Sequence, residues 1–274
     1  MSVFTLNPYI YNKYWIGLED IAASHLDAWG ETVMKNAIDP TSPLVPYRHP
    51  ITLWETSIKR HRTLLRFVSQ EISVFAPTIL KPHFYMLTDT TGMMLRTYGN
   101  SVILEKLVSI GMLEGASFQL EHAGINAVAA SIHTGHISVV RGEEHTLHIF
   151  SDWMCICGPI TNGARIVGYL DFSMHKDEDA SLAAAILYRI ISDIEKRLQY
   201  FDDTMNARKH KLTQYSLTPR EAEVAARWLA NNTTAQIAAD LFISEETVRT
   251  YIKKIYKKTG SNGKGAFLQK FLLS

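Results

Sequence analysis

Cysteine is nearly absent: the chain of 274 residues has two, Cys155 and Cys157. They lie too close together to staple distant segments, which excludes a disulfide-dense secreted scaffold and favours a reducing compartment, the cytoplasm. No window approaches the roughly 18 uncharged apolar residues of a spanning helix, so no membrane segment is expected. The opening MSVFTLNPYIYNKYW lacks a basic start followed by an apolar stretch, so no signal peptide is expected either. Also missing are the glycine loop GxxxxGK[ST] that cradles nucleotide phosphates, the HExxH zinc pair and the GxSxG nucleophile elbow. No nucleophile, base and orienting group can be assembled from the rest, so an enzyme is not expected.

What is present is an ordinary globular composition, 46% hydrophobic and 20% charged, long enough for two domains and for a core that needs no metal to fold. The formal charge of +1 conceals an asymmetry. Residues 1–206 carry 16 Lys and Arg against 22 Asp and Glu, and residues 207–274 carry 12 against 5. A short basic unit joined to a larger acidic one suits a reader of nucleic acid attached to something else.

Along the chain, Pro40, Pro43, Pro46 and Pro50 make residues 1–50 a helical start that gives way to an extended connector. Trp54–Phe75 reads as a helix. Phe84–Leu87, Met93–Arg96, Ile137–Val140 and Ile166–Asp171 read as strands, separated by turns at Asp89/Gly92, Gly99/Asn100 and Asn162/Gly163. MCICGPI, residues 154–160, has the character of a buried strand. In Leu182–Leu198, Ile186, Ile190, Ile191, Ile194 and Leu198 follow helical spacing. After it the apolar period fades and the charge changes sign, which places a linker at residues 200–216. The expected class is α+β, with a sensor-sized domain at 51–199 and a helical domain at 217–274.

The strongest signal is LTPREAEVAARWLANNTTAQIAADLFISEETVRTYIKKIYKKTG, residues 217–260. Thr218, Pro219 and Glu221 form a capping box with proline at the first helical position, and Thr233 with Gln236 repeats the box. Ser244 caps a third helix after a turn of only Phe242-Ile243-Ser244, the spacing of a helix-turn-helix. In that helix Val248, Tyr251, Ile252 and Ile255 share one face, and Arg249, Thr250, Lys253 and Lys257 the other, with Lys254 and Lys258 beside it. One flank packs on a scaffold and the other suits the major groove of double-stranded DNA. Arg249, Thr250 and Lys253 are the expected base-edge readers, with Thr247 and Glu246 in the first turn. Lys254, Lys257, Lys258 and Arg220 are the expected phosphate contacts.

These residues, with Leu217-Thr218-Pro219-Arg220-Glu221, Gln236-Ile237-Ala238 and Ile243-Ser244-Glu245-Glu246-Thr247-Val248-Arg249-Thr250, resemble the DNA-binding domain of LuxR-type regulators. The resemblance implies a four-helix domain whose last helix, at about Lys264–Leu272, often pairs two subunits; its Phe267, Leu268, Phe271 and Leu272 fit a subunit contact and core packing equally well. Paired half-sites imply a homodimer. Glu246 stands where that family usually has Lys, and Tyr251 where it often has His.

In the acidic part, residues 120–160 hold five of the eleven histidines: His122, His133, His136, His145 and His148. Three readings stand: a metal, haem or redox site using them with Cys155 and Cys157; a Cys155 nucleophile; or a small-molecule pocket framed by Phe118, Phe150, Trp153 and the backbone around Gly124-Ile125-Asn126. Glu121-His122-Ala123-Gly124-Ile125-Asn126-Ala127, Gly142-Glu143-Glu144-His145, Trp153-Met154-Cys155, Pro159-Ile160 and Gly168-Tyr169-Leu170-Asp171 are similar to the sensor half of acetoin-operon-activator-type regulators. Ser24, Trp29 and Ala37-Ile38-Asp39-Pro40 match the segment ahead of it. That likeness implies a GAF-like antiparallel sheet with flanking helices and favours the pocket, with His122, Asn126, Phe118, Phe150, Trp153 and Cys155 as ligand contacts. It names no cofactor, only an unidentified small-molecule effector. Those activators carry an ATP-driven domain, which the missing phosphate loop excludes here, so RNA polymerase under an ordinary sigma factor is the expected partner.

Overall fold

Four prolines between residues 40 and 50 set the first division of the chain. The computed structural model describes residues 14–272. The first thirteen residues, most of the stretch on which the absence of a signal peptide was read, lie outside the described residues, as do the last two of the expected DNA-binding domain. Ahead of the prolines Ala23–Lys35 is helical (α1), and after them a helix opens at Ile51 with Pro50 as N-cap. The single helix expected over Trp54–Phe75 is two, Ile51–Arg60 (α2) and Arg62–Phe75 (α3). They break at His61, whose ring Nδ1 lies 2.8 Å from the Ser57 carbonyl oxygen that also accepts the His61 amide. A side chain drawn onto a helical carbonyl is a recognised cause of a bend.

His83–Thr88 (β1) and Met94–Gly99 (β2) form a hairpin whose turn is organised by Asp89. Its Oδ1 accepts from the Thr91 amide at 2.9 Å and the Met93 amide at 3.1 Å, and Gly92 takes φ of 85°. Ser101–Ser109 (α4), Leu120–Ala123 (α5) and Ala127–Thr134 (α6) follow. Ser138–Arg141 (β3), Trp153–Asn162 (β4) and Arg165–His175 (β5) complete a sheet in the order β2-β1-β5-β4-β3, antiparallel throughout. Register sets Met86 beside Asp171 and Asp171 beside Cys157 on one face. Alternation turns Tyr85, Leu87, Ile156 and Phe172, all fully buried, to the other.

The first part of Ala180–Leu212 (α7), as far as Arg197, and α3 cover that second face. Gly168 lies so close to Leu64 of α3, and Gly158 to Ile191 of α7, that a Cβ would sit 3.1 Å and 2.8 Å from those side chains. The glycines let both helices approach the strands. Arg197 of α7 pairs with the buried Glu71 of α3 and donates to Gln70 Oε1 at 3.3 Å.

The chain divides after Arg197 into two compact units. The linker expected over 200–216 is instead helical to Leu212, followed by a 3-10 turn at Thr213–Tyr215. No proline or glycine interrupts 180–212. Ile191, Leu198, Met205 and Leu212 recur every seven residues and are all buried, so the apolar stripe persists beneath the charges that surround it.

In the second unit Pro219–Leu229 (α8), Thr234–Leu241 (α9) and Glu245–Thr259 (α10) follow the helix starts read from the caps, and Lys264–Leu272 (α11) is the last helix that the resemblance implies. Thr218 accepts from the Glu221 amide while its own amide donates to Glu221 Oε2 at 2.8 Å. Thr233 and Gln236 repeat the arrangement. Val224, Ile237, Val248, Ile255 and Phe267 are fully buried at the centre of the domain. Phe267 and Phe271 of α11 point into this core, so their apolar stripe serves the domain's own packing. The protein is thus an antiparallel five-stranded sheet with flanking helices, joined to an all-helical domain.

Candidate functional site

The turn before α10 is tight because Phe242 adopts φ of 55°, a left-handed conformation that ends α9 in one residue. Ser244 then caps α10, its Oγ accepting from the Thr247 amide at 3.1 Å and lying 2.8 Å from Thr247 Oγ1. Val248, Ile252 and Ile255 are buried, and Tyr251 is half-buried. Arg249, Thr250, Lys253, Lys254 and Lys257 are exposed on the opposite flank. Glu246 is exposed at the tip, where two carboxylates in the first turn suit the helix dipole. Arg249 reaches back to Glu245 at 3.3 Å and Glu246 at 3.5 Å. With the guanidinium side chain 56% exposed, such pairs are weak in water and leave Arg249 able to turn outward.

Two expected phosphate contacts are committed inside the domain. Lys258 gives its ammonium to Glu221 Oε2 at 2.6 Å and to the Ser216 carbonyl oxygen at 3.0 Å. Burial pushes the Glu221 carboxyl up, but the hydrogen bonds from Lys258 and Thr218 outweigh it and hold it below the usual range. Arg220 donates to Glu223 Oε2 at 2.7 Å and to the Leu241 carbonyl oxygen at the end of α9. Sequence spacing shows the charge of each cation and not the partner that the fold brings to it. Among the α10 cations, Lys253, Lys254 and Lys257 remain directed to solvent.

In the first unit, the face of the sheet bearing Asp171 closes a cavity of about 20 Å³ against the start of α6, room for one water molecule. Of the six expected ligand contacts, Phe118, Asn126, Phe150 and Cys155 line it. Trp153 does not; it meets Phe84, a lining residue, edge to face at 5.0 Å. His122 does not either. Its ring stacks on Tyr47 at 3.8 Å and its Nδ1 lies 2.8 Å from Ser117 Oγ; burial first, then His49, pushes its pKa down. Asn126 caps α6 by accepting from the Ala129 amide at 3.0 Å and donates to the carbonyls of Phe118 and Gly124, so its amide builds the loop.

Sequence reasoning missed Asp171, His145 and Ser173, which also line the cavity. Asp171 and His145 are 2% and 3% exposed. Burial pushes the Asp171 carboxyl up to about 7, against the 2.6 Å hydrogen bond from Ser173, and pushes the His145 ring down to about 4. The signal available was period-two alternation, which places Asp171 on the face of Cys155 and Cys157.

Burial, and then the neighbouring Asp171, push both thiols well above their ordinary value, so neither is a ready thiolate. The histidines disperse: His133 packs on Trp29 at 5.4 Å, and His136 Nδ1 lies 2.7 Å from the Thr134 carbonyl oxygen. Among the described residues no three His, Cys, Asp or Glu gather to hold a metal ion.

A family model described as GerE, bacterial regulatory proteins of the luxR family, matches residues 215–266. The spore germination protein GerE of Bacillus subtilis is 46% identical over 48 residues, 18% of this chain and 65% of that protein. A signal-transduction and transcriptional-control protein of Clostridium beijerinckii is 22% identical over 113 residues, 41% of this chain and 18% of that protein. Among solved structures, a chain of the E. coli DhaR(N)–DhaL complex superposes with a TM-score of 0.60 at 13% identity, over 68% of this chain and 65% of that one. The chain therefore spans less than two thirds of the length of each of these relatives. Its second unit contains a LuxR-type helix-turn-helix domain; the structural match shows a shared fold and carries no ligand with it.

Proposed function

We propose that the protein is a one-component transcription regulator: α10 enters the major groove of double-stranded DNA, and the first unit, a GAF-like sensor, responds to a small metabolite. The observation that carries the first half is α10 itself, apolar and buried through Val248, Ile252 and Ile255, cationic and exposed through Arg249, Lys253, Lys254 and Lys257. Arg249 and Thr250 read base edges with Lys253, while Lys254 and Lys257 hold phosphates. Glu246 accepts from a cytosine amino group and so biases the preferred site. The second half is supported by the cavity of the sheet domain with its aromatic walls and few polar groups. A metabolite acts only by favouring one arrangement of the sensor over another, and α7 is the covalent path from there to α8–α11. The protein works in the cytoplasm as a homodimer on paired half-sites, with RNA polymerase under an ordinary sigma factor, and performs no catalysis.

Titrating the full chain against double-stranded DNA at several salt concentrations tests the reading. Binding should weaken steeply with salt, as phosphate neutralisation requires. A protein with no affinity for duplex at low ionic strength refutes it.

A further inference from the structure

The cavity of the first unit presents two hydrogen-bonding atoms that no protein group satisfies. Asp171 Oδ1 and His145 Nε2 are both buried and without a protein partner, and both residues line the same small space. Folded proteins rarely leave such atoms alone. Two at one cavity mark a place suited to something the chain does not itself supply.

The chemistry of that occupant follows from which hydrogens are already spent. His145 holds its Nδ1 against the Gly142 carbonyl oxygen at 2.9 Å, so Nδ1 carries the proton and Nε2 accepts. The second oxygen of Asp171 takes the Ser173 hydroxyl at 2.6 Å. Asn126 has given both amide hydrogens to the carbonyls of Phe118 and Gly124. With Asp171 ionised, above its value of about 7, what remains open is a pair of acceptors, so the occupant must bring donors.

Charge narrows the class. No lysine or arginine lines the cavity, so a carboxylate or phosphate would be buried beside Asp171 without a countercharge. An ammonium would meet Asp171 but would surrender its hydration for two acceptors against three N–H groups. The remaining walls, from Phe84, Phe118, Phe150, Met86 and Met112, are apolar.

From this balance of donors and acceptors we propose that the cavity binds a small uncharged molecule with two hydroxyl donors on a short apolar frame, one hydroxyl to Asp171 Oδ1 and the other to His145 Nε2. The assignment rests on the reading of the first unit as a sensor. The space of about 20 Å³ holds one water molecule, so even the smallest such molecule enters only as the walls give way. Met86 and Met112, unbranched and adaptable, are the side chains that yield to it.

Calorimetric titration of the full chain with ethane-1,2-diol, propane-1,2-diol and glycerol, beside acetate, inorganic phosphate and ethylammonium, tests the proposal. A diol or glycerol should bind saturably and the three ions should not. Asp171→Leu and His145→Phe should each weaken that binding by about tenfold to a hundredfold, the effect of one hydrogen bond lost in a dry site. His122→Ala, outside the cavity, should leave it unchanged. Should one of the two cavity variants fail to fold, the other carries the test. Binding of an ion in place of the diols overturns the assignment. So does binding that both cavity variants retain. If none of the probes binds, a trapped water satisfies the two atoms and the proposal falls. A diol that binds through Asp171 yet leaves DNA affinity unaltered upholds the ligand class and refutes the sensor reading alone.

Discussion

Asp171 and His145 oppose each other across the acidic range, and removing either should expose the other. Asp171 moves from 3.8 to about 7 on folding and His145 from 6.5 to about 4. Between pH 4 and 6.5 the unfolded chain binds one proton at this pair, on the histidine, and the folded chain also binds one, on the aspartate. Equal proton counts mean no slope from the pair. In Asp171→Asn the folded state binds none while the unfolded state still binds one, so stability should rise with pH by about 1.4 kcal/mol per unit, about 3 kcal/mol in all, and level off above 6.5. In His145→Gln the sign reverses: only the folded state holds a proton, and stability should fall by about 4 kcal/mol between pH 4 and 7. Urea unfolding at several pH values measures both. Four of the five tryptophans, Trp15, Trp29, Trp54 and Trp153, belong to the first unit, so a Trp228→Phe background confines the fluorescence signal to it. Subtracting one variant's curve from the other's removes every other titrating group. Two parallel curves would refute the account of buried, unpaired groups.

Arg249→Ala should relax sequence preference, costing about 1–3 kcal/mol at one base pair; gel shifts against operator and scrambled duplex read the difference, and full discrimination in the variant rules out base reading by Arg249. Lys257→Ala should weaken all sequences alike and reduce the salt slope by about one, without affecting unfolding. Lys258→Met should do the converse in urea, losing about 1–3 kcal/mol because Glu221 stays buried after its partner is gone. If Lys258→Met lowered only DNA affinity, its place in the ion pair would be of no consequence. Ser244→Ala should cost about 1 kcal/mol through loss of the cap on α10, visible as a lower urea midpoint.

The helical domain was legible because its information is local. Thr218, Thr233 and Ser244 cap the helices they announce, and turn, caps and apolar spacing agree. What escaped were partners supplied by the fold: Glu221 for Lys258 and the Leu241 carbonyl for Arg220 lie 37 and 21 residues away along the chain. The strands were also legible from β-prone runs between turn residues, whereas helices α4 and α6 were not read at all; α6 is almost wholly buried and shows no polar face to give a period. The linker misreading has a related cause. Between Leu198 and Leu212 the stripe thins to about one apolar residue per two turns, and the charges around it mask the repeat. In the cavity, aromatic framing points to Trp153 and the family resemblance to His122, but Asp171, an acid in an apolar strand, is the stronger local conflict.

The two carboxylates at the tip of α10 bear on how the protein would travel before it finds its site. If α10 enters the major groove as proposed, Glu246 would face phosphates with nothing to accept from on unrelated duplex, and Arg249 would gain little by leaving its carboxylates. Loose, short-lived encounters would follow, which would shorten the time lost on each wrong stretch of the genome. Only a sequence that offered Arg249 a purine edge and Glu246 an amino group would release both at once and lengthen the stay.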